Sequence, residues 1–423
     1  MSLFQKRLGQ SVMSEVTTAE LAAELVNSQD QQLALYELSQ AMRQKRSIED
    51  AVKELVHLVT RTMKAQAAGV IVAVPNRPLI VSQFQSNEII SEDRLRIWLH
   101  QIQASPYYIL QNQVPGYESL LVLPLQLNED IVGVLAVANK VDGLMASPDR
   151  KLGQAIVNQA GIYFENLLFA EQRVAEARVQ TELKLARDVQ MQLLPQRPTD
   201  VPGLDIAGFS EPALHVGGDT YDFLVDDHQQ FHVCVGDVSG KGMPAALLMA
   251  MVRTTLRNAW QFGEQASPAT AIEQTNASLY DDFTETSMFA TLFVATYDAE
   301  ERILRYANAG HSPVIYRPHG GTAQLLVADG VPIGVLTESQ VEDRSLRFGE
   351  GDLLIISTDG LNEARNQDGE LFGQESLLNL TDNLADRPAA TIAHELLTAV
   401  DVYADGQPQA DDQTLVVIRG LAK

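Results

Sequence analysis

Apolar positions in the first part of the chain change period twice. Leu33, Tyr36, Leu38 and Met42, then Ile48, Val52, Leu55, Val56 and Val59, recur every three or four residues. That spacing predicts two amphipathic helices joined near Arg46-Ser47, with Ser47 and Asp50 suited to start the second. Apolar runs at residues 69–74, 119–125 and 131–137 then read as strands, and Asn128-Glu129-Asp130 as the hairpin turn between the last two. A helix beginning near Ser147-Pro148-Asp149 carries on into a charged stretch, residues 164–194, whose signs alternate. Leu167, Val174, Leu183, Ala186, Val189 and Leu193 follow an imperfect heptad there, which predicts a two-stranded coiled coil or else a solvated spacer helix. Leu193-Leu194-Pro195 ends it, since proline cannot continue a helix and restricts its predecessor. Beyond it, buried-strand runs at 231–235, 352–356 and 414–418 alternate with Gly, Asp and Asn turns. Helical patterns lie near 243–261, 268–280 and 389–402. The mixture predicts an α+β sandwich.

Four acidic stretches punctuate that sandwich: Gly217-Gly218-Asp219-Thr220-Tyr221-Asp222, Gly236-Asp237-Val238-Ser239-Gly240-Lys241-Gly242, Ser357-Thr358-Asp359-Gly360 and Asp411-Asp412-Gln413-Thr414. The second and third follow strand-like runs, and the fourth precedes one. A carboxylate where a buried strand meets a loop is held firmly and still faces solvent, so several converging from distant positions line an oxygen-rich pocket suited to Mg or Mn. Taken singly, each aspartate is more often a turn or helix-cap residue. The four together point to a metal-dependent hydrolase.

At 423 residues, 45% hydrophobic and 20% charged, the chain is long enough for two or three globular domains. Its net charge of -24 argues against nucleic acid or an anionic membrane as partner. Cys234 is the sole cysteine, which excludes an internal disulfide and a thiolate metal site and leaves it as a small core residue. Residues 1–15 lack a signal-peptide pattern, and the apolar region 120–138 is interrupted at Asn128-Glu129-Asp130, so no membrane span and cytoplasmic residence are expected. Residues 1–30 read as a polar lead-in.

Residues 31–168 resemble a GAF sensory domain, on the order of helices and strands and on Asn139-Lys140-Val141-Asp142-Gly143 followed by the helix from Gly153 to Leu168. Nucleotide-binding members carry Asn-Lys, a Phe and then Asp-Glu. Asn139 and Lys140 match, whereas Met145 and Asp149-Arg150 replace the rest, and no cysteine is present to attach a bilin. The resemblance implies either an unknown small ligand or a dimerising role. Residues 169–195 form the linker, within which Ala186 to Pro195 resembles the regulatory helix of the family that follows.

The region from about Arg187 to Ile418 resembles the SpoIIE-type branch of the PPM (type 2C-like) metal-dependent Ser/Thr phosphatases. It does so through the four acidic stretches together with Asn308-Ala309-Gly310-His311 and Leu361-Asn362-Glu363-Ala364. The resemblance implies a PPM-type α-β-β-α sandwich over residues 196–423. Asp219 and Asp237 would be catalytic metal ligands, Asp237 bridging two Mg or Mn ions, with the Val238 carbonyl, Asp359 and Asp411 completing the set and a water activated between the ions. Asp222, Gly360, Asp412 and His311 would stand behind them. Ser239 occupies the place of the histidine that protonates the leaving group in eukaryotic relatives, and Lys241 reads as electrostatic support or, in preference, as solvent-facing. The implied partner is a phosphorylated STAS-type anti-sigma-factor antagonist, and the implied assembly a homodimer through the linker. A pseudophosphatase scaffold and a phosphohydrolase of small phosphoesters are the alternatives.

Overall fold

The computed structural model describes residues 31–422 except 76, 85–89, 105–108, 113–114, 196–199 and 263–266, together with residues 25, 28 and 29. The expected lead-in otherwise lies outside the described residues. The chain divides into two compact units, Met1–Arg178 and Val179–Lys423, and the division falls within one helix.

In the first unit, α1 (residues 31–42) and α2 (Ile48–Thr62) bury Leu38, Met42, Ile48, Val52, Leu55, Val56 and Val59. Leu33 and Tyr36 are exposed instead, because the buried stripe of α1 runs through Ala34, Leu38 and Met42 at four-residue steps. Ser47 caps α2, its hydroxyl accepting the Asp50 N–H at 3.2 Å. The strands β1 (Ala65–Val72), β2 (Ile80–Phe84), β3 (Ile109–Asn112), β4 (Ser119–Leu127) and β5 (Asp130–Lys140) form an antiparallel sheet in the order β2-β1-β5-β4-β3. Leu127 pairs with Asp130, so the β4–β5 turn is two residues, with Asn128 at φ +52°. The helices α1, α2 and the beginning of α4 (Ser147–Leu193) pack on one face, and α3 (Glu92–Ala104) on the other.

Asn139 and Lys140 are structural in this unit. Asn139 sits at φ +56°, and its Oδ1 accepts the Glu118 N–H at 2.9 Å and the Ser119 N–H at 3.4 Å. The Lys140 ammonium pairs with Asp149 at 2.7 Å, while the second Asp149 oxygen accepts the Ala146 N–H just before α4. Met145 is buried in the core. These residues tie the end of β5 to β4 and to the start of α4.

The second unit has four layers. One sheet contains β7 (Asp219–Val225), β8 (Phe231–Val238), β9 (Ala290–Asp298), β10 (Ile303–Ala309) and β13 (Arg344–Arg347), in the order β13-β10-β9-β8-β7. The other contains β6 (Leu204–Glu211), β11 (Val314–Arg317), β12 (Gln324–Leu326), β14 (Leu353–Ser357) and β15 (Gln413–Gly420), in the order β12-β11-β14-β15-β6. Alternation along the strands divides the core. Val233, Val235, Phe293 and Ala295 join Leu354, Ile356, Val416 and Ile418 between the sheets. Cys234, Val238, Leu292 and Val294 face α5 (Met243–Phe262) and α6 (Pro268–Thr286). The second sheet's outer face is covered by α8 (Gln374–Leu384) and α9 (Ala389–Ala404). Burial pushes the Cys234 thiol far above its ordinary range, in keeping with a core role.

Candidate active site

Asp219 opens β7 and Asp237 lies near the end of β8, and the antiparallel register sets them directly opposite each other. Opposed residues share a face, and here it is the face turned toward the second sheet, since Val233 and Val235 on the same side of β8 are in the inter-sheet core. The second sheet supplies Asp359, at the start of the one-turn helix α7 (Asp359–Asn362) after β14, and Asp411-Asp412, just before β15. Both sheets therefore bring carboxylates to one end of the sandwich.

Three devices hold that end together. Thr358 accepts the Thr414 N–H at 3.0 Å and donates its own hydroxyl to Asp219 Oδ2 at 2.7 Å, so one side chain links the two sheets. Asp412 receives the Gly218 N–H at 2.7 Å and the Ala213 N–H at 2.8 Å, which suspends the loop before β7 from the strand across the sandwich. Glycine permits both approaches: a Cβ on Gly217 would lie 2.1 Å from the Asp412 carboxylate, and one on Gly360 would lie 1.9 Å from the Asp412 carbonyl oxygen. The glycines of these stretches thus set how closely the aspartate-bearing loops pack.

Electrostatics records the crowding. Burial, then Asp237 and Asp412, hold the Asp219 carboxyl well above its usual range, against hydrogen bonds from Thr358 and Thr414. Burial first, then Asp359, Asp411 and Asp412, push Asp237 up to about 7. Asp359 is raised by burial, Glu363 and Asp411. Like charges that raise one another's proton affinity are stabilised by a cation among them. Among the described residues, no group of three or more His, Cys, Asp or Glu side chains is gathered tightly enough to hold one ion by itself. The donor set is instead an opposed pair, Asp219 and Asp237, flanked by Asp359 and Asp411, with the Val238 carbonyl beside Gly218. Mg-type ions are held in this way, by one or two carboxylates with water in the remaining positions, so the residues fit such ions.

The other candidates divide. Asp222 faces away from Asp219, fully buried and paired with two arginines of α5. Arg257 holds it through two hydrogen bonds, the Nη2 one at 2.8 Å, while Arg253 Nε lies 3.1 Å away without hydrogen-bond alignment. Asp222 therefore locks β7 to α5. His311 is buried, its Nδ1 3.1 Å from Thr291 Oγ1, and burial pushes its imidazole down to about 4 against a smaller pull from the Ser357 backbone. It is therefore a neutral imidazole near pH 7, without the acidic proton of an imidazolium. Ser239 Oγ accepts the Phe289 N–H at 2.9 Å and its N–H donates to the Phe289 carbonyl, so it fixes backbone. Lys241 is not simply solvent-facing: its ammonium lies 3.1 Å from Asp411 Oδ2 and also donates to the Ala410 carbonyl.

Four residues that hold the site had no role assigned from sequence. Thr358 could have been found by its parity with the buried Leu354 and Ile356. Arg253 and Arg257, four apart on an otherwise apolar helix, signalled a buried acid. Gln190, near the end of α4, is buried, with Nε2 donating to the Gly217 carbonyl at 2.7 Å and Oε1 accepting the Gly217 N–H at 3.1 Å. That two-point clamp fixes the loop leading into Asp219.

A sandwich with this site is a SpoIIE-type, PP2C-class phosphatase domain: residues 227–420 match the family profile described as Stage II sporulation protein E (SpoIIE), and the C-terminal domain belongs to that family. The chain is 29% identical over 248 residues to phosphoserine phosphatase RsbU of Bacillus subtilis, covering 58% of this chain and 72% of that protein. It is 28% identical over 295 residues to protein IcfG of Synechocystis sp., covering 62% of this chain but only 45% of that one. The SiaA-PP2C domain of Pseudomonas aeruginosa shares the fold at a TM-score of 0.53, with 22% identity over 58% of this chain and 98% of that domain.

The raised Asp237 carboxyl gives a pH test. Its ordinary value is 3.8 and its folded value about 7, so the folded protein keeps a proton that the unfolded chain has released. That contribution is fully present below about pH 4 and is lost as pH rises through about 7. In chelator, the melting temperature is expected to fall between about pH 5.5 and about pH 8, and to fall less in Asp237→Asn. An equal fall in both proteins contradicts the assignment.

Proposed function

We propose that the protein is an Mg/Mn-dependent protein serine/threonine phosphatase. On this reading it acts in the cytoplasm on phosphoserine or phosphothreonine of a regulatory protein of the STAS type and is governed by its N-terminal unit. The observation that carries the reading is the gathering of Asp219, Asp237, Asp359 and Asp411 from both sheets at one end of a SpoIIE-type sandwich. The name of RsbU as a phosphoserine phosphatase supports the substrate class.

Divalent ions, when bound, supply the polarisation of the phosphoryl group and the acidified water that such hydrolysis uses. The chain's residues supply position and charge. Asp219 and Asp237, opposed across the β7–β8 ladder, give a rigid pair of oxygens. Thr358 orients Asp219, and Asp412 keeps the Gly217-Gly218 loop closed beneath it. Ser239 Oγ is held as an acceptor of the Phe289 N–H and His311 is not an imidazolium near pH 7, so neither is set up as a strong general acid for the leaving alkoxide.

Regulation enters through α4. Gln190 clamps Gly217, two residues before Asp219, so rotation of the helix end displaces that ligand. Val174, Leu185 and Val189 are exposed apolar residues along α4, which supports a parallel homodimer through the linker. The sheet order β2-β1-β5-β4-β3, with helices on both faces, supports a GAF-like sensor in the first unit.

Two measurements test this. Manganese-dependent hydrolysis of p-nitrophenyl phosphate should fall by more than about 100-fold in Asp237→Ala, beyond the 10–100-fold that loss of an outer partner costs. Gln190→Ala should keep its turnover at saturating manganese but need about tenfold more of the ion. Persistent activity in Asp237→Ala refutes the metal assignment, and an unchanged manganese requirement in Gln190→Ala refutes the clamp. Light scattering should return twice the chain mass of 46.4 kDa; a monomer contradicts the linker dimer.

A further inference from the structure

Three exposed apolar residues lie within one hydrogen bond or two positions of chain of residues that hold the acidic end of the sandwich. Ser239 and Phe289 extend the β8–β9 ladder one step past Val238 and Ala290, joined by the Ser239 N–H to the Phe289 carbonyl at 2.8 Å and the Phe289 N–H to Ser239 Oγ at 2.9 Å. Asp237 pairs with Thr291 in that ladder, so Phe289, two residues from Thr291, stands on the same face as Asp237. Two residues along a strand is about 7 Å, so Phe289 lies about one such step beyond the position opposite Asp237. Phe289 is 41% exposed. Leu214, 53% exposed, follows Ala213, whose N–H is held by Asp412. Met243, 39% exposed, begins α5 two residues after Lys241, which is paired with Asp411.

We propose that Phe289, Leu214 and Met243 form an apolar collar that selects a phosphoserine segment whose flanking residues are apolar and not acidic. This rests on the phosphatase reading above and names the substrate context that the site takes. Three observations argue for that occupant. The collar is continuous with the carboxylates that would meet the phosphate. Its exposed side chains offer no hydrogen bond to a polar flank. The protein carries a net charge of -24, so acidic flanks are disfavoured while apolar flanks bury against the collar. The collar also gives a protein substrate binding contacts that a small phosphoester cannot reach.

Two synthetic peptides test it, alike except that phosphoserine is flanked by leucine and valine in one and by aspartate and glutamate in the other. With manganese, wild type is expected to favour the apolar-flanked peptide by about tenfold or more in kcat/KM, the range for hydrophobic pocket contacts. Phe289→Ala should raise KM for that peptide severalfold with kcat little changed and shrink the preference, and Phe289→Leu should restore most of it. Equal kcat/KM for the two peptides in wild type, or an undiminished preference in Phe289→Ala, overturns the collar. Wild type that hydrolyses neither peptide nor p-nitrophenyl phosphate sinks the phosphatase reading instead, so the two failures are distinguishable.

Discussion

Holding carboxylates of like sign at the open end of a β-sandwich is the constraint that shapes the C-terminal domain. Asp219 and Asp237 are placed opposite each other by strand register, and Asp359 and Asp411 close on them from the other sheet. Left alone, that arrangement is costly: burial first, and then the neighbouring carboxylates, raise the proton affinities of Asp219, Asp237 and Asp359. The domain meets it by directing neutral donors to the carboxylates that stay put. Thr358 donates to Asp219, and two backbone N–H groups donate to Asp412. The remaining repulsion is what a divalent ion would relieve, which is why the proposed metal site suits the way the fold is closed.

The same constraint explains the glycines. Gly217 and Gly360 lie where a methyl group would collide with Asp412, on either side of the junction between the sheets. A site assembled from loops of two sheets needs the loops closer than side chains allow. Gly240 and Gly242, at φ +90° and +76°, flank Lys241 and turn the chain from β8 into α5 while Lys241 reaches Asp411. Asp222 shows the other fate of an aspartate in these stretches. One residue of parity moves it to the opposite face of β7, where arginines rather than metals balance its charge.

Much of this was legible in the sequence. Helices and strands with strong periodicity appeared close to their expected limits, as α5, α9, β4 and β15 show. By contrast, α3 presents only Leu95, Leu99 and Ile102 to the core and left too faint a stripe to read. The aspartates could be picked out because strand ends and glycines bracket them. Strand parity marks Thr358 as buried and the spacing of Arg253 and Arg257 marks a buried acid, but the partners of Thr358, Gln190 and Arg257 lie 139, 27 and 35 residues away, and no local pattern records such a pairing. The choice between the two readings of Lys241 was hidden for the same reason, since its partner Asp411 lies 170 positions away. The Asn139-Lys140 pair carried a different lesson: residues that resemble a ligand-binding signature secure a turn between β5 and α4.

The central claim is that these carboxylates form a site for a pair of divalent ions. Manganese binding followed by electron paramagnetic resonance tests it without reference to any substrate. The account predicts about two manganese ions per chain with the broadened signal of neighbouring spins, lost in a protein carrying both Asp219→Asn and Asp359→Asn. Undiminished binding in that protein, or no specific binding in the wild type, would contradict it.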